Sequence, residues 1–259
     1  MKNLIFYVLT ALVSFFMAYI IFNNKEQLVP KVLTIDTTYT YLSHENQKME
    51  VSLYINHKHH PLNDEESYQF IYLSDQFESK RMEVELIDIK KNHFEHYLNE
   101  TYQEITLSLK LPFITGRFEL FDAYMNITLN NQNTYSFFIG DFFYTYVHSD
   151  GDFLDWNGLQ AVKEENQFIS RIKTITIPYN DLIKEIKEIS IGTYDLITFE
   201  FKDQIIQLTI SKDSHLLFNV PIMITFTDDS MQTISNFRYF IDYQTLKESG
   251  PLVNMYALN

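Results

Sequence analysis

The stretch Ile197-Thr-Phe-Glu-Phe-Lys-Asp-Gln-Ile-Ile-Gln-Leu-Thr-Ile-Ser211 decides the fold class. Ile197, Phe199 and Phe201 alternate with Thr198, Glu200 and Lys202. After Asp203 and Gln204 the pattern resumes, with Ile206, Leu208 and Ile210 set against Gln207, Thr209 and Ser211. Successive side chains of a strand point to opposite faces, so this period of two gives one buried face and one wet face, and the polar pair between the runs reads as a hairpin turn. Met49-Glu-Val-Ser-Leu-Tyr-Ile55 repeats the period with Met49, Val51, Leu53 and Ile55 inward. Ile105-Thr-Leu-Ser-Leu-Lys-Leu111 does so with Thr106, Ser108 and Lys110 on the water side. Further strands are expected at 68–74, 82–89, 117–129, 134–147, 171–177, 216–227 and 233–243. Phe137-Phe-Ile-Gly-Asp-Phe-Phe-Tyr-Thr-Tyr146 is too apolar for a wet face and reads as a strand covered on both sides.

Helical spacing is rarer. Leu182, Ile183, Ile186 and Ile189, behind Asn180 as a cap, predict a helix over 180–189. A single turn at 92–98 and a connector helix at 158–167 are also expected. Short strands at regular spacing, with helix only between them, predict an all-β chain of antiparallel sandwiches with immunoglobulin-like architecture. The Cys…Trp…Cys signature of true immunoglobulin domains is missing: there is no Cys, and the one Trp, Trp156, lies elsewhere. His148-Ser-Asp-Gly-Asp-Phe-Leu-Asp-Trp-Asn-Gly158 breaks the alternation and divides the exported part. The expected organisation is a membrane anchor at 1–25, a first sandwich at 26–147, an Asp/Gly-rich linker at 148–160 and a second sandwich at 161–259. Two hairpin-like segments, 125–137 and 222–235, resemble each other loosely.

The anchor rests on Leu4–Phe22, 19 residues without a charge, Pro or Gly. At about 1.5 Å per residue such a helix matches a hydrocarbon core of about 30 Å. The run exceeds a signal-peptide core and no Ala-x-Ala site follows, so a retained anchor in the lipid bilayer is expected. Lys2 and the α-amino group precede it, and Lys25 beside Glu26 follows it, which favours the cytoplasmic membrane with the C-terminal region extracytoplasmic.

Charge narrows the partners. The chain of 259 residues carries 20 basic and 34 acidic side chains, a net of −14. Lys2 and Lys25 fall in the first 25 residues, which hold no acid, so residues 26–259 have 18 basic and 34 acidic groups, a net of −16. Nucleic acid and anionic lipid surfaces repel such a region. The absence of Cys removes disulfides, thiolate chemistry and cysteine metal sites, and six glycines leave no phosphate-cradling motif.

Two clusters carry metal-ligating residue types. Asp150, Asp152, Asp155 and Asn157 place four oxygen donors in eight residues, as calcium requires, and Asp/Asn/Gly turns use the same residues. The stretch resembles the Asp-rich calcium loops of EF-hand-like modules over fewer than ten residues. It departs from them at Leu154 in the fifth position and Ala161 in the twelfth. His57, His59 and His60, before Asp64, Glu65 and Glu66, offer zinc or copper ligands or a polar loop. No G-x-S-x-G, S-x-x-K or H-E-x-x-H motif is present. The leading expectation is a non-enzymatic binding or scaffolding protein working through protein–protein contacts at the membrane or cell envelope, with no resident cofactor. The alternatives are a calcium- or carbohydrate-binding surface module and an envelope-polymer hydrolase with paired carboxylates.

Overall fold

Alternation becomes strand wherever the structure describes it; 164–167 of the expected connector helix and 238–243 of the last expected strand lie outside the described residues. The structure, a computed structural model of the chain, describes residues 12–17, 29–163, 172–192, 195–210, 217–218, 220–237, 246 and 249–258. Within them lie β1 (Lys31–Ile35), β2 (Thr37–Leu42), β3 (Lys48–Ile55), β4 (Tyr68–Ser74), β5 (Arg81–Tyr97), β6 (Glu100–Lys110), β7 (Arg117–Leu129), β8 (Thr134–Thr145), β9 (Leu154–Trp156), β10 (Gln160–Lys163), β11 (Ile172–Leu182), β12 (Ile186–Ile191), β13 (Asp195–Leu196), β14 (Thr198–Lys202), β15 (Ile205–Thr209), β16 (Leu217–Phe218), β17 (Val220–Phe226), β18 (Met231–Phe237) and β19 (Val253–Ala257). The chain is mostly β, with its sheets in a sandwich-like arrangement. Leu12–Met17 is helical with exposed side chains; the rest of the Leu4–Phe22 run lies outside the described residues. Among the described residues, no helix is long and apolar enough to cross a membrane.

The hairpin read from this stretch forms over 198–209 as its pattern requires, and Ser211 lies outside the described residues: β14 and β15 pair from Lys202↔Ile205 to Thr198↔Thr209. Its turn residues Asp203 and Gln204 take φ of 48° and 59°, the left-handed backbone that a two-residue hairpin turn demands. With few glycines available, ordinary residues occupy such positions.

A ten-strand path runs β16-β2-β8-β7-β4-β5-β6-β3-β1-β19. It folds back on itself at β5. Arg81–Val84 pairs with β4, whereas from Glu85 onward the strand pairs with β6. A register shift between Leu86 and Asp88 marks the bend, as bulges do. The two halves face each other across one cluster of buried side chains, including Leu53, Leu107, Leu109, Ile127, Phe137 and Phe142. Each such side chain contributes about 1.5–3 kcal/mol on burial. The apolar run 137–146 lies in β8, between β2 and β7, and Phe142, Phe143 and Tyr144 are all fully buried.

The chain also passes between the halves at Asp36. β1 pairs antiparallel with β3 and β19, and β2 immediately afterwards pairs parallel with β8. Gly140 permits this. It sits at φ 104°, opposite Thr37, and a Cβ there would run into the Thr37 carbonyl oxygen and fall 2.5 Å from the Thr37 nitrogen. Thr34 Oγ1 donates to the Phe138 carbonyl (2.7 Å) and Phe138 N donates to Tyr256 Oη (2.9 Å), so β1 and β19 are held against β8.

The face of β6 expected to be wet is partly exposed at Lys110 but not farther back along the strand. Thr106 and Ser108 are buried. The same outer face of β1, β3 and β6 carries Leu33, Ile35, Tyr54 and Tyr102, and Leu246 and Leu252 pack over it. A polar alternation thus marked which side faces away from the main core, not which side meets water.

A second cluster gathers Ile175, Ile177, Ile206 and Leu208 from the sheet β10-β11-β15-β14, and Ile189, Ile222, Ile224 and Phe226 from the sheet β13-β12-β17-β18. The helix expected over 180–189 is two strands, β11 and β12, around a corner at 183–185. Ile186 and Ile189 are both inward because a register shift between Ile186 and Glu188 inserts one residue. The bulge turns a spacing of two into three, and three imitates a helix. The turn expected at 92–98 is likewise the end of β5, with a register shift between Lys91 and Phe94, and 160–163 is strand rather than helix. Both loosely similar segments are hairpins, β7–β8 and β17–β18.

Gly140→Ala should destabilise the protein by at least about 3 kcal/mol, or prevent folding, because backbone rather than a flexible side chain blocks the methyl. Gly116→Ala, which meets nothing within 4 Å, should stay within about 0.5 kcal/mol. Urea unfolding followed by circular dichroism measures both, and equal midpoints would refute this account of the crossing.

Candidate functional site

The Asp-rich loop is stitched to two sheets. Asp150 accepts from Met231 N through Oδ2 (2.9 Å) and donates from its own N to the Met231 carbonyl (2.9 Å), which fixes it to β18. Asp155 Oδ2 accepts from Asn180 Nδ2 (3.0 Å), and Asn157 Nδ2 donates to Asn180 Oδ1 (2.6 Å), which fixes β9 to β11. Asp152 is exposed. Asp150 and Asp155 are therefore committed to different sheets, and among the described residues no group of three or more His, Asp or Glu side chains is placed to hold a metal ion. The residue at the loop's centre is Gln232, only 2% exposed. Its Oε1 accepts from Phe153 N and Leu154 N (2.7 Å each), and its Nε2 donates to the Leu154 carbonyl (3.0 Å). One amide thus satisfies three backbone groups of the loop, those of Leu154 buried and that of Phe153 partly so.

The three clustered histidines separate by role. His60 is buried and caps the one-turn helix Pro61–Asn63: its Nδ1 accepts from Leu62 N (3.2 Å). That contact leaves the proton on Nε2, which lies 3.4 Å from Tyr135 Oη. Both ring nitrogens are thereby engaged. Desolvation, followed by the charge of His57, holds the His60 pKa below the ordinary imidazole value. His57 is half-buried and His59 exposed. Asn63 Nδ2 donates to the His57 (3.0 Å) and Lys58 (3.3 Å) carbonyls, so the loop closes on backbone groups.

A polar row that sequence reasoning missed lies across β3, β5 and β6. His93 sits in the β5 bulge with Nε2 3.0 Å from Glu95 Oε1 and Nδ1 3.3 Å from Glu104 Oε2. Carboxylate oxygens at this distance accept and do not donate, so the imidazolium form satisfies both contacts and the neutral form only one. Glu95 is buried, and its Oε2 accepts from Leu246 N (2.8 Å). Glu104 Oε1 accepts from Ser52 Oγ (2.8 Å), and Asn92 Nδ2 donates to Thr106 Oγ1 (2.8 Å). Ser52 thus gives its proton to a carboxylate rather than to a histidine, so no activated nucleophile is assembled. The imidazole fills the space between Glu95 and Glu104, where a glycosidase would need room for sugar and water. The arrangement is a tie between strands. The sequence signal was present in Glu95 and Glu104 on facing strands, but a bulge had to turn His93 between them.

His60 generates a pH prediction with a definite sign. Its folded pKa lies below the unfolded value of about 6.5. As pH falls below about 6.5, the unfolded chain takes up a proton that the native chain resists, so stability drops until the folded pKa is passed. His60→Asn, which keeps an acceptor for Leu62 N, should make stability fall less between about pH 7 and 5.5 than in the parent chain. Denaturant midpoints across that range test it, and parallel pH profiles would count against the cap.

No family model matches the chain, and no curated protein does. Among solved structures, the chain is similar to the fibronectin(III)-like modules of Clostridium thermocellum CbhA, at 7% identity over 78% of this chain and 90% of that one, with a TM-score of 0.18. It is also similar to the D00-D0 domain of intimin, at 13% identity over 82% of this chain and all (100%) of that one, with a TM-score of 0.19.

Proposed function

We propose that the chain is a single-pass protein of the cytoplasmic membrane, anchored by Leu4–Phe22, whose acidic β-rich region lies outside and works by protein–protein contact as a binding or scaffolding part. The single observation that carries the contact role is the second half of β5. From Glu85 to Tyr97 this strand pairs with β6 on one side, and its other side has no partner strand among the described residues. Phe94 (61% exposed) and Leu98 (68%) stand out along it and at its turn. An open edge with exposed apolar side chains is a template for an added strand. A net charge of −16 beyond residue 25 keeps such a surface soluble while disfavouring nucleic acid and anionic lipid.

The two-unit division at 148–160 belongs to the same proposal. It is supported by the two separate buried clusters, with Val253–Ala257 returning to the unit that holds β1.

Crosslinking in intact membranes, followed by capture of the chain, should recover a protein partner in the parent and less of it in Phe94→Ser/Leu98→Ser. The chain should stay with the membrane through alkaline carbonate washing. Release by the wash would remove the anchor; recovery of no partner above background would remove the contact role.

A further inference from the structure

Where β4 and β5 part company, the sandwich has a hollow of about 400 Å³, open to solvent. Their pairing is confined to Ile71–Ser74 against Arg81–Val84. Beyond it, Tyr68 and Phe70 pair only with β7, and Glu85 and Leu86 only with β6. The walls are Tyr68, Phe70, Val84 and Leu86, and two carboxylates, Glu65 and Glu85, line the same space. The volume is near the lower end of the range for ligand sites, about 300–1,000 Å³.

We propose that this hollow receives a lysine or arginine side chain from an extended segment of a partner protein that pairs along the free edge of β5. The inference rests on the contact role argued above and deepens it by naming the kind of segment bound. Three features fit that occupant together. The apolar and aromatic walls suit the methylene stem of a long basic side chain. Glu65 and Glu85 meet its cation. The chain already provides an internal example beside the site: the Arg81 guanidinium lies 4.9 Å from the Phe70 ring centroid and 3.8 Å from that of Tyr72. Lys110 stands 3.7 Å from Glu85, but both side chains are largely exposed, at 44% and 74%, so this pair is weak and yields readily to a better-placed cation. The free edge of β5 supplies main-chain partners, so affinity comes from the backbone and selectivity from the basic side chain.

The test uses the purified full chain in detergent and a short fluorescein-labelled peptide of alternating valine and lysine, with a valine–glutamate peptide as comparison. Anisotropy should show saturable binding of the lysine peptide only. Glu65→Gln/Glu85→Gln should weaken it about tenfold or more. Glu188→Gln/Glu200→Gln, which removes the same charge from strands outside the ten-strand path, should leave it unchanged. Amide exchange at Leu86–Ile89 should slow on binding. Absence of binding, equal weakening by the two double variants, or unchanged exchange at Leu86–Ile89 would each overturn the assignment. A partner still captured from membranes in the face of that result would leave the contact role standing and remove only this site.

Discussion

The crossing at Asp36–Thr37 depends on a missing side chain. One continuous segment, 31–42, serves as an antiparallel strand in one half of the large sheet path and as a parallel strand in the other. It can do so only where β8 presents bare backbone, and Gly140 is that place. The aromatic residues that follow, Phe142 to Tyr144, are aligned against β2 by the same register, from Tyr39↔Phe142 to Tyr41↔Tyr144. A chain with only six glycines keeps one at a point where two backbones approach closely, and lets Asp203, Gln204, Leu98 and Asn99 take left-handed turns instead. Turns tolerate that strain, at about 1–2 kcal/mol per residue, but a steric clash with backbone has no such escape.

Unbroken alternation was legible. Residues 68–74 and 117–129 are strands with the expected bounds, and the expected hairpin forms over 198–209 with its turn in place. What misled was irregularity within strands. A bulge moved Ile189 into helical spacing with Ile186, and a second bulge disguised the end of β5. Bulges leave no compositional mark when glycine does not make them. Tertiary cover was equally invisible: nothing in β1 or β3 says that Leu246 and Leu252, far along the chain, pack over Leu33, Ile35 and Tyr54.

Of the candidate site residues, the sequence showed which were chemically able to act but not to what they were committed. Asp155 and Asn157 share one partner, Asn180, whereas Asp150 belongs to Met231. His60 spends its nitrogens on a cap and a tyrosine. Conversely, Gln232 and Glu95 looked unremarkable in sequence and are among the most enclosed polar groups of the fold. Proximity in sequence measures donor density; coordination requires convergence in space, and paired strands tend to spread neighbours to opposite faces.

The return of β19 to β1 sets the order in which the molecule can be completed. Residues 31–35 form the first strand of the β-rich region to be synthesised, yet their outer neighbour is 253–257. Until those residues arrive, Leu33 and Ile35 lack the cover that Leu252 and Val253 provide, and one backbone edge stands open. Pairing across so long a sequence separation is slow, because the whole intervening loop must be closed first. The nascent chain therefore carries an adhesive margin throughout its synthesis, and the burden of keeping neighbouring copies apart during that interval falls on its acidic surface and on cellular chaperones.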